Sequence, residues 1–353
     1  MPVNVPMNMI VPVDPSIAVV IPCHRVTRHI LSLLNGIGRE VRHIIVVDDC
    51  CPDRSGELVT ALCRDPRITV ITHADNLGVG GAVMTGYRHA LALGADIVVK
   101  LDGDGQMDPA LIPQFVGPIL DGQADYTKGN RFTNIEDVRA MPAARLFGNA
   151  VLSFVTKASS GYWTLFDPTN GYTAIHAAVL ARLPLDKIRQ RYFFESDMLF
   201  RLGTVRACVI DIPMAAIYGD EESGLKIGRV LGSFLKGNLV NVGKRVFYNY
   251  FLRDFSIASV QLLIGIAALV FALAFGLHGW IASVDTGTPA STGTVMLAGL
   301  PVIVGMQLLL SFLAFDIAAM PNRALHPLLT PRLRARSTAG PKAEPELRVV
   351  DAA

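Results

Sequence analysis

At residues 98–109 the chain reads VVKLDGDGQMDP, an apolar run that passes directly into Asp102, Asp104 and Gln106. Residues two apart at a strand end point the same way, so two carboxylates and an amide oxygen can converge there on one hard cation. Mg2+ or Mn2+ held by so few protein groups keeps open positions for the phosphates of a nucleotide. Gly103 and Gly105 clear space around the acids. Asp-Gly pairs also build plain turns, which is the competing reading. An EF-hand is excluded because DGDGQMDPALIP does not end in Glu.

Outward from this stretch, strand-like runs recur at IAVVIP (17–22), HIIVVD (43–48), ITVIT (68–72), DIVVKLD (96–102) and ADYTKG (124–129), with helical patterns between them. That alternation predicts an α/β fold with βαβ units and a mainly parallel, Rossmann-like sheet. Ligands of such sheets bind outside the carboxyl ends of the strands. There the sequence places Pro22-Cys23-His24, Asp48-Asp49, Asn76-Leu77-Gly78 and Asp102-Gly103-Asp104. Gly78, Gly80 and Gly81 precede a helical pattern, but they do not follow the first strand and Val83 stands where a dinucleotide fingerprint needs its last glycine. They serve either a close approach to a ligand or a tight helix start. No GxxxxGK[ST] phosphate loop occurs.

Of the 353 residues 51% are apolar and 18% charged, against about a quarter charged in ordinary soluble domains. The surplus sits late in the chain: Ile257 to Val284 and Val295 to Phe315 contain no Lys, Arg, Asp or Glu. Each run is at least as long as the roughly 20 residues that cross a bilayer as a helix. The short loop between them carries no Lys or Arg, whereas Lys226, Arg229, Lys236, Lys244, Arg245 and Arg253 precede the first run and Arg323, Arg332, Arg334 and Arg336 follow the second. The positive-inside rule then predicts a two-span hairpin in the cytoplasmic membrane with both termini and the α/β domain in the cytoplasm. Residues 225–256 mix cations with aromatics, as helices in the headgroup layer do. Five cysteines without CxxC spacing argue against a disulfide framework or a structural zinc site, and the N-terminus lacks the basic start of a signal peptide. A net charge of +2 and the absence of zinc-finger, helix-turn-helix or RNP signatures argue against nucleic acid as a partner.

Taken in order, IAVVIPCH, IIVVDDCCPD, NLGVGGAVMTGYRHAL, VVKLDGDGQMDP and DPTNGYTAIH resemble family 2 glycosyltransferases of the GT-A fold over residues 16–215. With the two apolar runs, the chain looks most like the polyprenyl-phosphate glycosyltransferases of the dolichol-phosphate mannose synthase group. The resemblance implies transfer of one sugar, with inversion, from a UDP- or GDP-linked donor to a membrane polyprenyl phosphate such as undecaprenyl phosphate. It implies a base-binding loop at Pro22 and His24, a base contact at Asp49, a ribose or sugar contact at Asp102, and Asp104 and Gln106 as metal ligands. Gly78 falls in the donor-binding stretch. The sequence departs from the family where PTYNE reads Pro22-Cys23-His24-Arg25-Val26 and where DDGSTD reads Asp48-Asp49-Cys50-Cys51-Pro52-Asp53. Relatives of the group are often homo-oligomeric. The implied organisation is a flexible segment 1–15, a catalytic domain 16–224, juxtamembrane helices 225–256, a hairpin 257–320 and a disordered tail 321–353.

A lipid monophosphate is largely dianionic at neutral pH, so it attacks without a general base, and the protein must instead hold two anions together. Lys128, Arg131 and Arg145, after the fifth strand, are the candidate acceptor cations; Arg131 and Arg145 match the family's lipid-phosphate arginines, with Asn149 in place of the expected Ser. Ser223 and Lys226 are further candidates beside the membrane. Glu195 and Asp197, at a helix start, support a different reaction: transfer to a hydroxyl of a lipid or glycan with Asp197 as base. Helix capping or an ion pair with Arg201 is their structural alternative. Asp167 and Asn170 either line the sugar or acceptor pocket or make an Asx turn. A catalytically silent membrane scaffold that binds nucleotide is the remaining reading.

Overall fold

The computed structural model describes residues 15–133, 143–215 and 227–329. Runs of Val and Ile flanked by turns build the first strands and the helices between them: β1 Ile17–Cys23, α1 Ile30–Gly36, β2 Val41–Asp48, α2 Ser55–Leu62, β3 Ile68–Thr72, α3 Val79–Ala92 and β4 Ile97–Lys100. α4 Ile112–Leu120, β5 Tyr126–Asn130, α5 Ala143–Ser160, β6 Thr173–His176, α6 Ala177–Leu180, α7 Phe194–Val205 and β7 Val209–Pro213 complete the α/β unit. The sheet order is β3-β2-β1-β4-β6-β5-β7. β6 runs antiparallel to both of its neighbours, while the pairs β1–β2, β1–β4, β2–β3 and β5–β7 are parallel. The α/β class and all five expected strands are present, and β6 and β7 are additional.

Both faces of the central strands are covered, which is why they read as continuous apolar runs. Val19 and Ile21 pack towards α1 and α4; Ala18 and Val20, pointing the other way, pack towards α3 and α7. Gly86 of α3 sits so close to Val20 that an added Cβ would overlap its Cγ1. The helix therefore lies close against the sheet and fixes the loop at its own N-terminus.

Beyond the sheet come α8 Ile227–Phe247, a π-helical turn Tyr248–Arg253, and two long helices, α9 Ile257–Thr286 and α10 Thr292–Ala318. Phe234, Asn238, Asn241 and Arg245 form one helical stripe of α8 buried on the α/β unit, while Leu235, Leu239 and Phe247 face outward. Ser159 donates to Asn238 at 2.6 Å, and Phe193 meets Phe234 edge-on. α9 and α10 are long and apolar enough to cross a membrane, with mean hydropathy 2.5 and 2.1 over their most apolar stretches. They approach closely where Gly265 faces Gly305, an arrangement that small residues permit.

Asp316, near the end of α10, is buried although the sequence gives it no role. Arg245 holds it through two bonds of 2.7 and 2.9 Å, and Trp163 Nε1 and Tyr250 OH donate at 2.8 and 2.5 Å. Residues 321–329 do not belong to the disordered tail expected for 321–353. They return to the α/β unit, where Leu325 and Leu329 pack on its core and Asp125 accepts from the main-chain N–H of Leu325 and His326 and lies 2.9 Å from His326 Nδ1.

Candidate active site

The carboxyl ends of β1, β2 and β4 meet at one edge of the sheet, and the expected residues gather there. Pro22 is buried within β1, whereas His24 is exposed just beyond it. Asp48 caps the start of α2, accepting from Cys51 N at 2.7 Å and Gly56 N at 2.6 Å. Asp49 is buried, and its oxygens take Leu77 N at 2.9 Å and Gly78 N at 2.7 Å, with His73 Nδ1 at 2.8 Å. Asp49 thus anchors the 76–78 turn to the end of β2 and sets that turn's position in the site. Gly78 has φ of +87°, and an added Cβ would lie 2.7 Å from Gln190 O. Gly78 and Gly80 make room for the backbone of residues 189–190 where α3 starts, so the close approach here is to the chain itself and not to a ligand.

Asp102, Asp104 and Gln106 are all partly exposed after β4, and Asp104 Oδ1 accepts Gln106 N at 3.0 Å. Asp102 has a partner the sequence reading missed: Lys100 Nζ lies 2.7 Å from its Oδ1. Lys100, 1% exposed, is also 3.9 Å from Glu195 Oε1 and 5.3 Å from the centre of the Phe194 ring. Its position inside the apolar run VVKLD was the available signal, since a lysine there must find an anion or stay at a high desolvation cost. Burial raises the Glu195 carboxyl above its ordinary range, against the attraction of Lys100 and Lys128.

Lys128 departs from its expected place. It is fully buried on β5 and donates to the carbonyl of Asn170, so it lies inside the sheet layer rather than on an acceptor-facing surface. Burial lowers its pKa, opposed by Asp167 and Glu195. Arg131 forks onto Asp167, with Nε to Oδ2 at 2.8 Å and Nη2 to Oδ1 at 3.2 Å, and its guanidinium remains partly exposed. Asn170 makes the local turn, its Oδ1 accepting Tyr172 N at 2.9 Å. Arg145 falls on α5 with its side chain outside the described residues, as Ser223 and Lys226 are altogether.

Of the two acids at the start of α7, the structure brings only Glu195 to this edge. Asp197 turns towards α8, where Asn241 Nδ2 and Arg189 N donate to it at 3.1 Å each and Arg201 lies 3.9 Å away. Its expected role as a base finds no support in that placement.

Among the described residues no group of three or more His, Cys, Asp or Glu could hold a metal ion. The carboxylate of Asp104 and the side-chain amide of Gln106, both partly exposed, are hard oxygen donors of the type Mg2+ or Mn2+ takes when phosphates and water supply the remaining positions.

Residues 18–183 match the family described as glycosyl transferase family 2. The chain carries a glycosyl transferase family 2 domain. Its mixed, mostly parallel seven-stranded sheet is the GT-A arrangement that the resemblance implied. The chain is similar to a UDP-N-acetylglucosamine–dolichyl-phosphate N-acetylglucosaminyltransferase of Methanococcus voltae, 28% identical over 67% of this chain and 94% of the relative. It is similar to an undecaprenyl-phosphate mannosyltransferase of Micrococcus luteus, 29% identical over 56% of this chain and 80% of the relative. Among solved structures, glucosyl-3-phosphoglycerate synthase from Mycobacterium tuberculosis in complex with Mn2+, UDP and phosphoglyceric acid is 19% identical, with a TM-score of 0.48 over 65% of this chain and 78% of that one.

Proposed function

We propose that the chain is a membrane-bound inverting glycosyltransferase that moves one sugar from a nucleotide sugar to a polyprenyl phosphate at the cytoplasmic leaflet. The observation that carries this reading is a family 2 glycosyltransferase domain whose acid-lined edge is joined, through α8 and the Arg245–Asp316 pair, to two apolar helices. Relatives named for dolichyl and undecaprenyl phosphate acceptors support the same acceptor class. The cations that flank the apolar helices support the cytoplasmic placement of the domain.

In this account the loops after β1, β2 and β3 bind the nucleoside, and Asp102, oriented by Lys100, faces the ribose or sugar. Asp104 and Gln106 would hold the divalent cation, whose bound charge offsets that of the leaving diphosphate. Arg131 and Arg145 bind the acceptor phosphate, with Asp167 fixing the Arg131 fork. The phosphate oxygen, already anionic, needs no base, so positioning and charge supply the rate.

The test is incubation of the full chain with undecaprenyl phosphate and a panel of UDP- and GDP-sugars, the lipid product being read by mass spectrometry. One lipid-linked hexose or N-acetylhexosamine is expected, lost on chelation of divalent metal and lost in Asp104→Ala. A fully active Asp104→Ala enzyme, or no product from any donor, would overturn the reading.

A further inference from the structure

At the junction of the α/β unit, the π-helical turn and the end of α10 lies a cavity of about 370 Å³. Its polar lining includes Arg206, Arg245, Asn249, Arg253, Asp254 and Asp316. It stands apart from the proposed transfer site. Glu195 is at the first turn of α7 and Arg206 just past its last, about 16 Å along the axis at the usual helical rise. Exposed Leu252, Phe255 and Ile257, on the chain entering α9, set this cavity at the level where apolar surface gives way to polar.

The charges are unevenly used. Arg245 and Asp316 neutralise one another. Arg206 gives Nη2 to the carbonyl of Ala319 at 3.0 Å, and Arg253 lies over the Tyr248 ring at 5.4 Å. Among the described residues neither forms an ion pair with a carboxylate. Asp254, the remaining acid of the lining, is exposed and forms no ion pair among the described residues.

We infer that this cavity binds the headgroup of a glycerol-headed anionic phospholipid of the phosphatidylglycerol type, separately from the sugar acceptor. Three arginines against two aspartates leave one net positive charge, matching the single negative charge of a phosphodiester. The near-dianionic monoester of a polyprenyl phosphate matches it poorly. Arg206 and Arg253 take the phosphate oxygens. The headgroup hydroxyls donate to the Asp254 carboxylate. A bound headgroup would thus bridge the α/β unit and the membrane helices where Arg245 and Asp316 already join them.

The inference rests on α9 and α10 lying in a bilayer, which extraction of membranes at alkaline pH checks independently. The full chain in detergent is titrated with phosphatidylglycerol, phosphatidylethanolamine, phosphatidylcholine and undecaprenyl phosphate, and adducts are counted by native mass spectrometry. One phosphatidylglycerol should bind at least tenfold more tightly than either zwitterionic lipid. Arg206→Gln with Arg253→Gln should remove that preference while leaving the undecaprenyl phosphate adduct, and Arg206→Lys with Arg253→Lys should retain most of it. Equal binding of the three phospholipids, an unchanged preference in the double Gln variant, or one-for-one displacement of phosphatidylglycerol by undecaprenyl phosphate would overturn it. A chain that stays in alkali-washed membranes yet shows no preference sinks this inference and leaves the proposed function standing.

Discussion

Lys100 holds Asp102 and lies within reach of Glu195 from inside the sheet, so its ammonium is the charge on which two buried or half-buried acids depend. Lys100→Met should destabilise the fold by roughly 3 kcal/mol, the low end for breaking a buried pair because the Asp102 side chain is 28% exposed. Thermal unfolding of the detergent-solubilised chain measures this. Gly78→Ala should lower the unfolding temperature and reduce donor binding, since its Cβ would meet Gln190 O in a left-handed conformation. Ligand-induced thermal shift with UDP and GDP reads both effects. That Asp49 would follow β2 and Asp102, Asp104 and Gln106 would follow β4 was legible because the apolar runs mark where the strands stop; β4 ends at Lys100, so the three later residues are placed by the turn after it and not by strand alternation. Which of Glu195 and Asp197 faces the site was not. Two residues on a helix differ by about 200° around the axis, and only packing against α8 decides which of them turns inward.

Helix α8 and the end of α10 are fastened by Arg245 and Asp316, both buried. Arg245→Ala and Asp316→Ala should each cost about 3–5 kcal/mol, because each strands the other charge, and the double variant should cost clearly less than their sum. A double-mutant cycle on thermal unfolding tests this; strict additivity would show that the pair does not couple the elements. The apolar helices were legible from composition alone, and so were the first five strands. β6 and β7 were harder to see, being four and five residues long, one with a polar lead-in and the other carrying Asp211. The fastening itself could not be read, because Arg245 and Asp316 are 71 positions apart and nothing local ties them.

Residues 321–329 return from α10 to the α/β unit, where His326 stacks on His176 with ring centres 4.2 Å apart. Burial, and then His326, lower the His176 pKa to about 4, while Asp96 and Asp125 oppose them weakly. His176 Nδ1 accepts the N–H of Ala178 at 3.1 Å, which requires the unprotonated ring. A depressed histidine means that the unfolded chain binds the proton more readily. The stability it contributes is complete above about 6.5 and is lost as pH falls towards about 4. Unfolding temperature should therefore drop across that window, and His176→Gln should flatten the drop; an unchanged profile would remove His176 from the account. On the proposed function, the molecule delivers sugar to a phosphate and not to a hydroxyl. The direct measurement is the rate of sugar transfer to undecaprenyl phosphate beside that to the matching alcohol, undecaprenol, under the same conditions. Product is expected from the phosphate and none from the alcohol; comparable transfer to undecaprenol would overturn the proposed function.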